Sequence, residues 1–273
     1  MSRIIWLASY PKSGNTWVRA LLANYVLDRD NPVSINDLRG FTLSDTRPRY
    51  YDGLLDRPLP DLSESEIRAL RPLALRQLAD ARPHDHFVKT HSQYTEFEGI
   101  NLIEPEVTAG AIYIVRDPRD VAVSFAAHFG LAVDDAIERM ADAGNLTTAG
   151  DFRMTTFLGS WDAHVASWTN QDEVPVCLVR YEDLLRAPEE TFGKMLKVLG
   201  LPHAQDRISR AVANSAFETM KREERRDGFV ERPPHMERFF RAGTAGGWRG
   251  VLTDAQIKQI ERKFAPAMRQ LGY

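Results

Sequence analysis

The chain has 273 residues, of which 43% are hydrophobic and 27% charged, and its formal net charge is −3. These values suit one large globular domain, or two small ones, with an ordinary core, and they give no general pull towards nucleic acid or a membrane surface. No apolar run reaches the ~20 residues of a membrane helix, and the lone Cys177 excludes an internal disulfide or a cysteine-based metal site.

In chain order, Ile4 to Ser9 reads as a buried strand. Trp17, Ala20, Leu21, Asn24 and Tyr25 follow at helical spacing. Residues 28–85 are rich in arginine, proline and aspartate and read as an irregular insertion, with short helices around 64–80. Phe87 to Thr90 and Ala111 to Val115 are two further buried strands, and Val121, Ser124 and Phe125 begin a helix after the second of them. Residues 130–152 form a second insertion, with Gly144-Asn145 and Gly150 as breakers. Val176 to Tyr181 is the fourth strand and makes Cys177 a buried, inert thiol. Phe192, Met195, Leu196 and Leu199 share a helix face that Gly200-Leu201-Pro202 stops, and Lys221 to Arg249 is basic and loop-like. Thr253 with Gln256 is a capping box that opens a final helix through Ile257, Ile260 and Phe264.

Continuous apolar strands alternating with helices predict an α/β fold, a parallel sheet covered on both faces. Its ligand belongs outside the carboxyl ends of the strands. There the first strand runs into TyrProLysSerGlyAsnThrTrp, residues 10–17. The first N–H groups of a helix lack internal partners, and the helix dipole adds to their attraction for anions. Gly14 lets a phosphate approach the backbone. Lys12 supplies charge, Ser13, Asn15 and Thr16 supply donors, and Trp17 offers a flat face to a base or packs into the core. A Walker loop places its lysine after the second glycine. Here Lys12 precedes the only glycine of the stretch, so the cradle differs. A P-loop-type kinase or another nucleotide-dependent phosphotransferase is the rival enzyme reading. An idle nucleotide-binding scaffold is the rival outside enzymes.

This stretch resembles the phosphosulfate loop of the cytosolic-type sulfotransferases that use 3′-phosphoadenosine 5′-phosphosulfate (PAPS). Further blocks follow in that family's order: Lys89-Thr90-His91, IleValArgAspProArgAspValAlaValSerPhe with Arg116 and Ser124, GlySerTrp at 159–161, TyrGluAspLeu at 181–184, and ArgAlaGlyThrAlaGlyGlyTrpArgGly at 241–250. The resemblance spans nearly the whole chain. It implies one sulfotransferase domain over 1–273, a three-layer α/β/α sandwich with acceptor-side insertions around 28–85 and 130–155.

The resemblance also assigns roles. Lys12 and Lys89 are catalytic lysines, and His91 is the base or an orienting group. Ser13, Gly14, Asn15 and Thr16 hold the 5′-phosphosulfate. Arg116, Ser124, Arg241 and Gly243 hold the 3′-phosphate, although Arg116 could instead pair with Asp117 or Asp120. Trp17, Tyr181, Ser215 and Phe217 form the adenine pocket. PAPS is the only cofactor implied, with PAP as product and no metal. His84-x-His86 lacks further ligands nearby, and His164 reads as structural. The implied partner is a small hydroxyl compound, with no nucleic acid or membrane, and the chain is a monomer or homodimer in the cytoplasm. Two departures stand out. Gly247 replaces a common aspartate and Ala242 a common lysine, a loss that Arg249 could offset. Tyr50, Tyr51, Phe129, Phe239 and Phe240 hint at an apolar acceptor.

Overall fold

The computed structural model describes residues 2–149 and 154–273, so the Gly150 breaker and part of the 130–155 insertion lie outside the described residues. Five parallel strands form the central sheet. They are β1 (Ile4–Ser9), β2 (Leu43–Ser44), β3 (His86–Thr90), β4 (Thr108–Val115) and β5 (Val176–Arg180), in the spatial order β2-β3-β1-β4-β5. All their pairings are parallel, and Leu7 at the centre stands in register with Lys89 and Ile112.

The alternation of side chains along a strand divides the core. Ile4, Trp6, Ala8 and Tyr113 face one way, against Val121 and Phe125 of the Pro118–Phe129 helix, Trp161 and Trp168 of the Trp161–Thr169 helix, and Ile260. Leu7, Ile112 and Ile114 face the other way, against Val18, Leu21 and Leu22 of the Asn15–Leu27 helix and Phe192, Met195 and Leu196 of the Pro188–Val198 helix. Both faces of β1, β3 and β4 are covered, which is why they read as continuous apolar runs. β5 corrects the expectation of a fourth buried strand: at the sheet edge it is only partly covered, and Leu178 is 44% exposed. The chain lays β3 on one side of β1 and then crosses to lay β4 on the other. That reversal opens a crevice at the carboxyl end of β1.

Short helices at Glu64–Ala69 and Arg71–Ala79 fill the first insertion, and both halves of the Thr253–Gln256 capping box are made. The segment from Lys221 corrects the sequence reading. It is helical from Phe217 to Asp227 and becomes irregular only at Gly228. Arginine, lysine and glutamate are good helix formers, and Met220 and Glu224 lie four apart on its buried face. Glu224 accepts the N–H groups of Phe239 and Phe240, so the helix anchors the loop behind it. Cys177 is half-buried with its pKa raised by burial, consistent with an unreactive thiol. No helix among the described residues is long and apolar enough to cross a membrane.

Candidate active site

The carboxyl end of each sheet strand delivers residues to one cavity of about 1370 Å³. Ligand pockets commonly measure about 300–1,000 Å³, so this one has room for a nucleotide and an acceptor together. The 10–14 turn follows β1, Asp45 follows β2, His91 follows β3, Arg116 follows β4 and Tyr181 follows β5.

The turn after β1 is built for close approach. Gly14 has φ 106°, and a Cβ there would stand 2.6 Å from the Tyr181 ring. Lys12 also lies in the left-handed region, at φ 72°. A non-glycine residue held there is strained, and such strain gathers at functional sites. The first helical bonds run from the N–H groups of Trp17 and Val18 to the Gly14 carbonyl, which leaves those of Asn15 and Thr16 without a carbonyl of their own helix. Ser13 Oγ and Trp17 Nε1 are buried with no protein partner. Asn15 is used differently from the expectation: its amide donates to the Leu7 carbonyl at 2.9 Å and ties the turn to β1.

Arg116 spans the loops. Its Nη2 donates to the Thr244 carbonyl at 3.0 Å and lies 3.8 Å from Asp120, its guanidinium stacks 4.4 Å from the Tyr181 ring centre, and its buried Nε has no protein partner. The Asp120 contact that the sequence left open is therefore made, alongside the cavity position. Asp120 also accepts from the N–H groups of Gly246 and Trp248, at 2.7 and 3.0 Å, and so pins the closing loop. Ser124, Tyr181, Phe217, Arg241 and Gly243 line the same end. At Gly243, φ 65°, a Cβ would collide with the Phe217 ring at 2.4 Å.

Ser215 departs from its expected place. It caps the Gln205–Asn214 helix, is fully buried, and accepts a hydrogen bond from Asn24 at 3.1 Å behind the cavity. Arg249 stacks on Trp248 and does not line the cavity, so it does not replace the missing lysine at 242. Tyr50 and Tyr51 belong to the core, whereas Phe129, Phe239 and Phe240 do line the cavity.

His91 lies at the middle of the cavity. Its Nδ1 is 2.7 Å from the Ser9 carbonyl, which can only accept, so Nδ1 carries the proton and Nε2 is left as the basic atom. Burial, reinforced by Lys89, holds the imidazole well below its ordinary pKa, hence neutral at pH 7. His164 is structural, as expected. Fully buried, it donates from Nε2 to the His91 carbonyl at 3.0 Å and accepts from the Tyr113 hydroxyl at 2.9 Å. Lys12 packs its ammonium 3.9 Å from the Phe239 ring centre. Burial, then Lys89, Arg116 and Arg241, lower its pKa to about 7.

Two residues the sequence did not point to complete the centre. Arg19, buried to 1% exposure, meets Glu231 through both terminal nitrogens, at 3.0 and 2.9 Å. Lys89 reaches the same carboxylate at 3.6 Å. Its neighbouring cations hold Glu231 ionised despite burial, with a pKa far below the usual carboxylate range.

The sulfotransferase domain profile matches residues 2–272. The chain belongs to the sulfotransferase family. Sulfotransferase 1A1 of Canis lupus familiaris is 26% identical over 277 residues, covering 97% of this sulfotransferase and 83% of that protein. Cytosolic sulfotransferase 12 of Arabidopsis thaliana is 25% identical over 275 residues, covering 98% and 78%. The fold of this sulfotransferase matches that of retinol dehydratase crystallised with androsterone and inactive cofactor PAP (TM-score 0.65, 23% identity, 97% of this chain and 80% of that one). It also matches mouse sulfotransferase SULT7A1 complexed with PAP (TM-score 0.63, 20% identity, 98% and 84%). The family assignment and the single-glycine turn both disfavour the kinase reading.

Proposed function

We propose that this sulfotransferase takes PAPS as donor, moves its sulfuryl group to the hydroxyl of a small-molecule acceptor, and releases PAP and a proton. The observation that carries the reading is the strained turn after β1. It brings the Asn15 and Thr16 N–H groups to a cavity that Lys12 and Arg116 also line, while Ser13 Oγ lies buried and unpartnered behind the turn, outside the cavity lining. Such a turn suits a dianionic phosphate.

Thr16, Ser13 and the helix N–H groups hold the 5′-phosphosulfate. Lys12 meets the leaving phosphate oxygen, and Lys89 the sulfuryl oxygens. Arg116, Ser124, Arg241 and the backbone of Gly243 hold the 3′-phosphate, and Trp17, Tyr181 and Phe217 enclose the base. His91 takes the acceptor's proton on Nε2 as the oxygen–sulfur bond forms and the sulfur–phosphate-oxygen bond breaks. Positioning and electrostatic stabilisation of the leaving oxygen carry most of the rate.

The test incubates the purified protein with sulfur-labelled PAPS and a panel of phenols and alcohols, and records melting with PAP. Label should pass to a hydroxyl compound. PAP at a hundredfold excess over its Kd should add about 2.7 kcal/mol of stability, several degrees for a chain of this size. A melt that responds to ATP with magnesium and not to PAP would overturn the assignment.

A further inference from the structure

The cavity continues past His91, away from Arg116 and Arg241, into a half walled by the segment around β2 and by residues 230–236. Its charge is lopsided. Arg19, Lys89 and Arg39 all turn to one carboxylate, Glu231, at 2.9, 3.6 and 3.8 Å. Arg19 occupies both oxygens of that carboxylate and Lys89 is committed to the sulfuryl group, so Arg39, at 3.8 Å, is the cation of the three left without a close anionic partner. Arg47 lines the same wall, donates to the Arg39 carbonyl, and has no carboxylate partner among the described residues. The other acid of this wall, Asp45, is already committed: its Oδ2 accepts from the buried Arg71 and from Thr90, both at 2.7 Å. Burial first, then the fields of Arg49, Arg39 and Arg19, hold the Arg47 pKa below its ordinary value.

Arg39, half exposed, and Arg47, partly buried, keep guanidinium donors open towards the cavity, and a planar guanidinium matches a carboxylate or phosphate through paired hydrogen bonds. We propose that the acceptor is a hydroxyl compound that itself carries an anionic group, bound by Arg47 and Arg39 while its hydroxyl faces His91. The inference rests on the PAPS reading of the other half of the cavity. It replaces the apolar acceptor suggested by the sequence, since Tyr50 and Tyr51 are core residues and the cavity's Phe129 and Phe239 would flank the organic body only.

The test uses matched phenols on the PAP-binding, wild-type protein: 4-hydroxyphenylacetate, 4-hydroxyphenyl phosphate, the neutral methyl ester of the first, and tyramine. Turnover with labelled PAPS is measured, together with binding of each phenol to the PAP-loaded protein. Each anionic phenol should exceed the ester in kcat/KM or in affinity by about tenfold or more, the scale of one charge-assisted hydrogen bond. The carboxylate and phosphate arms show which anion fits better. Arg47→Glu and Arg39→Glu should each erase that preference and favour tyramine, with PAP affinity unchanged. Arg47→Gln, which adds no repulsion, should remove the preference alone. Equal or better use of the neutral ester, a preference that survives charge reversal, or no binding of either anionic phenol while PAP binds normally would overturn the proposal. Failure of the wild-type protein to bind PAP would instead remove the reading beneath it.

Discussion

Lys12 ties the nucleotide site to pH. In the free protein its pKa falls from 10.5 to about 7, through burial first and then the fields of Lys89, Arg116 and Arg241. At pH 8 a group with that pKa is about one-tenth protonated. A phosphate placed against Lys12 favours the charged form, so PAP binding at pH 8 should take up close to one proton, about 0.9. The phosphates of PAP add nothing there, because their second ionisations lie near pH 6. By linkage, affinity for PAP should fall about tenfold for each pH unit above 7 until the pKa of the bound state is reached. Calorimetry in buffers of different ionisation enthalpy reads the proton count directly. Lys12→Met should abolish the uptake. Stability of the free protein changes in the opposite direction: the unfolded chain keeps the proton to higher pH, so stability should rise between about pH 7 and 10.5. Zero uptake at pH 8, or proton release, would refute the placement of a phosphate at Lys12.

Arg116→Ala should weaken PAP binding about tenfold to hundredfold, the range of a charge-assisted contact, while adenosine 5′-phosphosulfate loses much less; equal losses would remove Arg116 from the 3′-phosphate. His91→Asn should lower turnover about 10²–10⁴-fold with PAP affinity intact. Because the imidazole of the free protein is held well below 6.5, the acid limb of wild-type kcat/KM should lie below that pH, and a limb at 6.5 or above would contradict its burial. Glu231→Gln strands the buried Arg19 guanidinium, so chemical denaturation should show a loss of about 3–5 kcal/mol. A loss under 1 kcal/mol would mean that the pair is solvated.

The parts of this molecule that were legible in the sequence are those where local chemistry and position coincide. β1, β3 and β4 announce themselves because each is buried on both faces. The turn at 10–17 announces itself because a lysine, a glycine and hydroxyl residues at a strand end have few other uses. β2 was invisible, since two residues carry no periodicity. Nothing in the sequence pairs Arg19 with Glu231, which the fold brings from 212 positions away to meet it. Ser215 sits beside residues that do line the cavity, and only the direction of the helix cap turns it inward towards Asn24. The basic run after Lys221 looked like a loop because its two buried anchors, Met220 and Glu224, are too few to show an apolar stripe.

The central claim is that the 12–16 turn holds the phosphosulfate end of the nucleotide while Arg116 and Ser124 hold its other phosphate. A crystal structure of the protein with PAP tests it most directly. The account predicts the 5′-phosphate against the Asn15 and Thr16 N–H groups and Lys12 Nζ, with the 3′-phosphate beside Arg116. Density for PAP anywhere else, with the turn bare, would contradict it.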